Sequence, residues 1–223
     1  RMTDARQKVL AILEEFSELS FTLKELSEAA GVTSSVVKGL VKLGAVAEVA
    51  TPQDMPFAHL NPSLPGKSLS EDQAHAVAQL EANTAGYRTT LLKGVTGSGK
   101  TEVYLEAVAS CLKQGRQALV LLPEIALTAE FLTRVEARFG ARPAEWHSGV
   151  TMTERRRTWK MVGQGHAQMV VGARSALFLP FQDLGLIVVD EEHDSSYKQE
   201  DGVLYHARDM AVLRASLVGG QVV

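Results

Sequence analysis

Four short runs of mostly branched apolar residues, TTLLKG (89–94), ALVLLP (118–123), QMVVG (168–172) and LGLIVVD (184–190), constrain this chain more than any other feature. Each is too short for a buried helix and none alternates with polar residues, so the sheet they form must be covered on both faces. Stretches with helical spacing stand between them: EVYLEAVASCLKQG (102–115), TAEFLTRVEARFG (128–140) and TERRRTWKMVGQG (153–165), each closed by glycine. Strand and helix alternating in this way predict an α/β domain over residues 68–223, a doubly wound parallel sheet between two helical layers. The final GGQVV reads as the opening of one more buried strand.

Residues 51–67 hold four of the seven prolines and show no period, which predicts an extended linker. A small separate domain is expected over 1–50. Val9, Leu10, Ile12, Leu13 and Phe16 recur at helical spacing, and Thr22 with Glu25 makes a capping-box pattern ahead of a second helix that Gly31 stops. A third helix begins near Ser34, with Val36, Val37, Leu40, Val41 and Leu43 facing inward, and Gly44 closes it. AVAEVA (45–50) alternates like a short strand, completing the order of a winged-helix domain. The presented helix, Thr33 to Lys42, exposes Thr33, Ser34, Ser35, Lys38 and Lys42 and lacks the Arg, Asn or Gln that read base edges in pairs. Non-specific contact with duplex nucleic acid and packing against protein are both open to it.

A net charge of −3 gives no global attraction to nucleic acid, so any such binding must be local. The lone cysteine, Cys111, cannot form an internal disulfide and reads as a small buried hydrophobe. No apolar run approaches the ~18 residues of a membrane span. The opening RMTDARQKVL has no signal-peptide core, so a cytoplasmic protein without a membrane partner is expected.

The segment Gly94, Val95, Thr96, Gly97, Ser98, Gly99, Lys100, Thr101 matches GxxxxGK[ST], follows a predicted strand at Thr89 to Leu92 and opens a predicted helix. Glycines let the backbone wrap a phosphate with its N–H groups inward, and the helix N-terminus adds positive potential. Lys100 should reach the β and γ phosphates of ATP, and Thr101 offers a hydroxyl to Mg2+. A second carboxylate set is needed at the same sheet edge, and LGLIVVDEEH supplies it: Asp190 for the metal, Glu191 for the attacking water. Alone, two acids after a strand fit a solvated turn equally well. His193 reads either as a nucleotide sensor or as a structural histidine. Gln73 in SLSEDQ suits an adenine edge, and equally completes a capping box with Ser70.

Together these residues resemble the PriA replication-restart helicases, the primosomal N′ family. The resemblance rests on GVTGSGKTEVYL (94–105), LLPEIALT (121–128), HSG (147–149), GARSALFLPF (172–181) and DEEHDSSYKQEDGVLYHARD (190–209). It implies a RecA-like helicase lobe behind the winged helix, with DNA-dependent ATP hydrolysis, 3′ to 5′ movement, recognition of stalled forks and assembly of a primosome. Expected partners are single-stranded and forked DNA, restart and primosome proteins, and single-stranded DNA-binding protein, in the bacterial cytoplasm near the nucleoid. The resemblance places Gln73 on adenine and assigns 123–128 and 172–178 to the DNA backbone, with Thr128, Arg174 and Ser175 on phosphates. For Arg174 an ion pair within the fold is the alternative.

The family's aromatic-rich loop, which couples single-strand binding to hydrolysis, corresponds to Asp194 to Arg208, with Tyr197 and Tyr205 to stack and Lys198, His206 and Arg208 to hold phosphates. Many members carry tryptophan and arginine before the second tyrosine; this chain has Val203 and Leu204. That departure motivates a second expectation, a restart scaffold with weak unwinding. The chain also reads as a piece of a longer protein, ending before the SAT-type motif, the zinc-binding cysteines and the second lobe with its arginine finger, so little turnover is expected from it alone.

Overall fold

The computed structural model describes residues 3–16, 21–49, 57–82, 86–95, 97–123 and 128–223. The chain forms two compact units, Arg1–Asp54 and Met55–Val223. In the first, α1 (Asp4–Glu15), α2 (Leu23–Ala29) and α3 (Ser34–Lys42) enclose a small core of Val9, Leu26, Ala30, Val37 and Leu40. The capping box forms as its spacing demands, since Thr22 N donates to Glu25 Oε2 at 2.7 Å and Glu25 N to Thr22 Oγ1 at 3.2 Å. Gly31 and Gly44 take positive φ after α2 and α3. Two expectations fail here. Leu43 is 63% exposed rather than inward, because it falls at the C-cap where the helical face ends. The alternating residues 45–49 form no strand, and Ala50 lies outside the described residues, so three helices are present without a wing among the described residues.

The larger unit is built on six parallel strands in the order β1-β8-β5-β2-β4-β3. These are β1 (Arg88–Thr89), β2 (Gln117–Leu121), β3 (Ala144–Trp146), β4 (Met169–Gly172), β5 (Leu184–Val189) and β8 (Gln221–Val222). β2, β4 and β5 are buried along their whole length, the outcome expected of uninterrupted apolar runs. Ala118, Val120, Leu122, Val171, Leu186 and Val188 face one core beneath α4 (Glu71–Glu81), α5 (Lys100–Lys113) and α6 (Ala129–Phe139). Leu119, Leu121, Val170, Ile187 and Val189 face a second core beneath α7 (Met152–Gly163) and α8 (Ala207–Val218). Helices on both faces of a parallel sheet make the doubly wound fold.

Details differ from expectation at the sheet margin. The first strand ends at Thr89 rather than Leu92, and Leu91 is 64% exposed, because β1 is an edge strand paired only to β8. β3 and α8 were not anticipated. The second half of the expected linker packs onto the larger unit: Leu60 is buried, its N–H and carbonyl pair with the Gln168 amide, and Asn61 N donates to Phe139 O at 2.8 Å. Cys111 is buried against Gly185, where an added Cβ would lie 2.7 Å from its sulfur, and burial pushes the thiol up to about 12. It is therefore an inert hydrophobe.

Candidate nucleotide and nucleic-acid site

The phosphate loop connects β1 to α5 at the C-terminal edge of the sheet. Gly97 and Gly99 both sit at φ +80°, a conformation closed to most side chains. Ser98 N donates to Val95 O at 3.1 Å, closing a tight turn, and Lys100 opens α5. Thr96 lies outside the described residues. Gln73 serves two roles. Its Oε1 accepts from Ser70 N at 2.9 Å within the capping box of α4, and its Nε2 donates to Ser98 O at 2.8 Å. A Cβ on Gly99 would displace that amide, and the φ of +80° itself favours glycine there. The Gln73 side chain thus braces the loop from outside, with its polar atoms engaged by Ser70 and Ser98.

Asp190 and Glu191 follow β5 directly. Lys100 Nζ lies 3.4 Å from Glu191 Oε1 and donates to Gly94 O at 3.0 Å. Glu191 has φ +48°, rare for a residue with a side chain, and this turn brings its carboxylate back toward the loop. Asp190 Oδ1 accepts from Glu191 N at 3.0 Å, and Oδ2 accepts from the Tyr104 hydroxyl at 3.0 Å. Burial pushes the Asp190 carboxyl above its ordinary range, partly offset by the Tyr104 bond. The Tyr104 phenol is raised well above its usual value by burial and then by the Asp190 charge, so it remains a donor; it also interacts with the Thr101 side chain. His193 is 75% exposed on its side chain, 3.7 Å from Glu191 Oε2. A cleft of about 570 Å3 opens over these groups, between Lys100, Tyr104, Asp190 and Glu191 on one side and Leu92 and Val212 on the other.

The donor set fits a magnesium ion. One half-buried carboxylate, destabilised by desolvation and by its neighbour Glu191, lies close to one hydroxyl, and a hard divalent cation takes one or two such oxygens and keeps its waters. The loop, with two positive-φ glycines leading into the N-terminus of α5, fits a phosphate.

The expected nucleic-acid residues are placed as follows. Thr128 caps α6, its Oγ1 accepting from Phe131 N at 3.3 Å; residues 124–127 before it lie outside the described residues. Arg174 Nη1 donates to the carbonyls of Ser196 at 3.1 Å and Lys198 at 2.7 Å, so its guanidinium holds backbone. Ser175 Oγ accepts from Trp146 Nε1 at 3.2 Å. The segment after DEEH is a short 3-10 turn (Ser195–Tyr197) followed by an antiparallel hairpin of β6 (Lys198–Gln199) and β7 (Tyr205–His206). Lys198 pairs with Glu200 at 2.8 Å, Arg208 with Glu192 at 2.8 Å, and Tyr205 is half-buried edge-on to Phe178. Tyr197 departs from expectation. It is 1% exposed, and its hydroxyl lies 3.0 Å from Leu121 O and 2.7 Å from Asp190 O, so the ring has no free face for a base. The turn that follows the acids folds it under the sheet edge, where a phenol satisfies two strand-end carbonyls.

The DEAD/DEAH box helicase family matches residues 70–218, which span the loop, the acids and the hairpin. The chain belongs to that family. Among curated relatives of this DEAD/DEAH box chain, the replication restart protein PriA of Rickettsia felis is 39% identical over 96% of the chain and 35% of its own length. PriA of Bacillus subtilis is 37% identical over 96% of the chain and 27% of its own, and PriA of Rickettsia typhi 49% over 66% and 22%. The chain therefore spans about a third or less of the relatives it matches. A solved structure of RecG bound to a three-way DNA junction shares the fold, with a TM-score of 0.50, 20% identity, and coverage of 72% of this chain and 24% of that one.

Sequence reasoning missed Tyr104 and Glu102. Both lie in α5, the helix that the phosphate loop opens, where a 3.6-residue period marks Tyr104 only as core. Glu102 accepts from Arg134 at 2.6 Å and pairs with Lys67 at 3.0 Å. Burial opposes its charge, but the two cations outweigh that and hold its carboxyl below the ordinary range.

Proposed function

We propose that this chain is the ATP-binding motor portion of a PriA-type replication-restart helicase, a DNA-dependent ATPase moving 3′ to 5′. The observation that carries the reading is the union of Lys100, Asp190 and Glu191 at one strand-end edge, with the hairpin at 198–206 tied to the same edge through Arg174 and Tyr197. In this reading an entering γ phosphate takes Lys100 from Gly94 O and Glu191, freeing Glu191 to orient and deprotonate water. Asp190 and Thr101 would hold Mg2+, which would supply neutralisation of the charge on the phosphates. Gln73 is assigned to adenine; to reach it, the amide must leave Ser70 or Ser98. Thr128, Ser175, Lys198, Tyr205 and Arg208 are assigned to the DNA strand, with Arg174 holding the hairpin and His193 relaying the state of Glu191.

The working partners proposed are stalled forks, single-stranded DNA-binding protein and primosome proteins, in the bacterial cytoplasm at the nucleoid. No helix among the described residues is long and apolar enough to cross a membrane. The test is Glu191→Gln in the full-length protein: DNA-stimulated hydrolysis should fall at least about a hundredfold with ATP binding retained, and undiminished turnover would sink the assignment. A second reading, a fork-binding scaffold with weak unwinding, draws on the hairpin tip, where Val203 and Leu204 are 82% and 73% exposed in place of an aromatic ring and a cation. Ordinary unwinding of a forked substrate by the intact protein excludes it.

A further inference from the structure

We propose that α7 and the end of β3 form a stacking platform for single-stranded DNA, centred on Trp159 and Trp146. This rests on the reading of the chain as a nucleic-acid motor. Trp159 projects from α7 with 49% of its surface exposed, and Met152, two helical turns earlier on the same face, is 58% exposed. Thr158, Met161 and Val162 of the same helix are buried, the last two in the core beneath it, so the helix is anchored and the outer ring is fixed to a rigid base. The two tryptophan rings lie 6.3 Å apart, tilted by 43°.

The cluster is tied to the segment assigned to phosphate binding. Trp146 Nε1 donates to Ser175 Oγ, and the Arg155 guanidinium stacks 5.8 Å from the Trp146 ring. Arg155 Nη2 donates to His147 O at 2.9 Å and Ser148 O at 3.2 Å, fixing the exposed turn between β3 and α7. In this proposal a single strand over the ends of β4 and β3 meets Ser175 and then the indole bonded to it.

Charge selects the occupant. Over Met152–Gly163 the sequence carries four cations, Arg155, Arg156, Arg157 and Lys160, against one acid, Glu154, and each cation also makes contacts within the fold. Arg157 stacks 4.1 Å from the Phe57 ring and acts within the fold, yet its charge still adds to the field. An exposed indole beside concentrated positive charge matches a polyanion whose every base offers a π face, and stacking of this kind is indifferent to sequence, as a translocating motor requires. β3 is the far edge strand, at the opposite margin of the sheet from the nucleotide cleft beside β1 and β8. The platform thus extends the DNA path away from the ATP site.

The two tryptophans are the only ones in the chain, so intrinsic tryptophan emission reports on this cluster alone. The experiment titrates a fluorescein-labelled oligothymidylate of about 20 nucleotides into the chain at low salt, reading anisotropy and tryptophan emission together. Quenching that saturates with the anisotropy is expected, with Trp159→Ala weakening affinity about tenfold and Trp159→Phe restoring it to within about threefold of the parent. Circular dichroism of each variant secures the comparison. If the oligonucleotide binds while emission stays constant and Trp159→Ala binds like the parent, the platform is overturned and the α7 face is left to a protein partner. If the oligonucleotide does not bind at all, the motor reading falls together with the platform.

Discussion

Tyr104 shows how one hydroxyl can set the properties of the carboxylate assigned to Mg2+. It is buried, it donates to Asp190 Oδ2 at 3.0 Å, and it interacts with the Thr101 side chain, so it stands between the two side chains assigned to the metal. Removing the hydroxyl in Tyr104→Phe leaves Asp190 with one fewer donor in a desolvated place, at a cost of about 1–2 kcal/mol. The Asp190 carboxyl, already raised by burial, should rise further. The expected outcome is a threefold to tenfold higher Mg2+ concentration for half-maximal ATP binding, roughly the effect of one such bond, with the shift largest at mildly acidic pH. Fluorescent-nucleotide binding across a Mg2+ series measures it, and an unchanged Mg2+ requirement shows that Tyr104 only packs. Glu191 makes a related point through its backbone: φ +48° costs about 1 kcal/mol. Glu191→Gly should therefore raise the melting temperature slightly while abolishing hydrolysis, and a lower melting temperature contradicts the strain.

Among the elements, the hairpin of β6 and β7 depends on contacts outside itself. Two-residue strands are marginal in water, so its position is set by Arg174 on the Ser196 and Lys198 carbonyls, by Tyr197 beneath β2 and β5, and by Tyr205 against Phe178. Arg174→Ala removes two bonds from a charged donor, with a local cost of about 1.5–3 kcal/mol each. The expected result is faster amide exchange and proteolytic cutting at 198–206, with the exchange of β2, β4 and β5 unaltered. Protection that stays equal in parent and variant refutes the clamp. Arg174 is thus held by backbone carbonyls and is neither the ion pair expected as the alternative nor, in this structure, a free phosphate-binding cation.

Across the molecule, charged side chains bind the segment at 64–67 to α5 and α6. Glu102 receives Lys67 and Arg134, while Arg138 pairs with Glu106 at 2.7 Å and donates to Leu64 O at 2.8 Å. Glu102 is held below its ordinary range in the folded chain, so its stabilisation is complete above the unfolded value of 4.5 and is lost as pH falls through the folded value. Thermal melts between neutral and acid pH should show the parent losing more stability below 4.5 than Glu102→Gln; parallel curves would remove Glu102 from the acid response. Much of this architecture was legible in the residues. Apolar runs such as LGLIVVD require burial on both faces, and the Gly94 to Thr101 spacing with Asp190 and Glu191 predicts a loop and two acids at one strand-end edge, where Lys100 Nζ lies 3.4 Å from Glu191 Oε1. What periodicity could not reveal were contacts between residues far apart in the chain: Gln73 on Ser98, Tyr104 on Asp190, Arg174 on Lys198. Leu43, past a helix end, shows the opposite error, an apolar residue read as inward whose burial no neighbour supplies. Local sequence by itself determined the buried strands β2, β4 and β5, most of the helices and the glycine loop opening α5, because backbone geometry and hydrophobic period act over a few residues. Only the tertiary structure decided which polar atoms meet, since hydrogen-bond partners brought together by the fold are separated by up to 108 positions, and no local spacing encodes them.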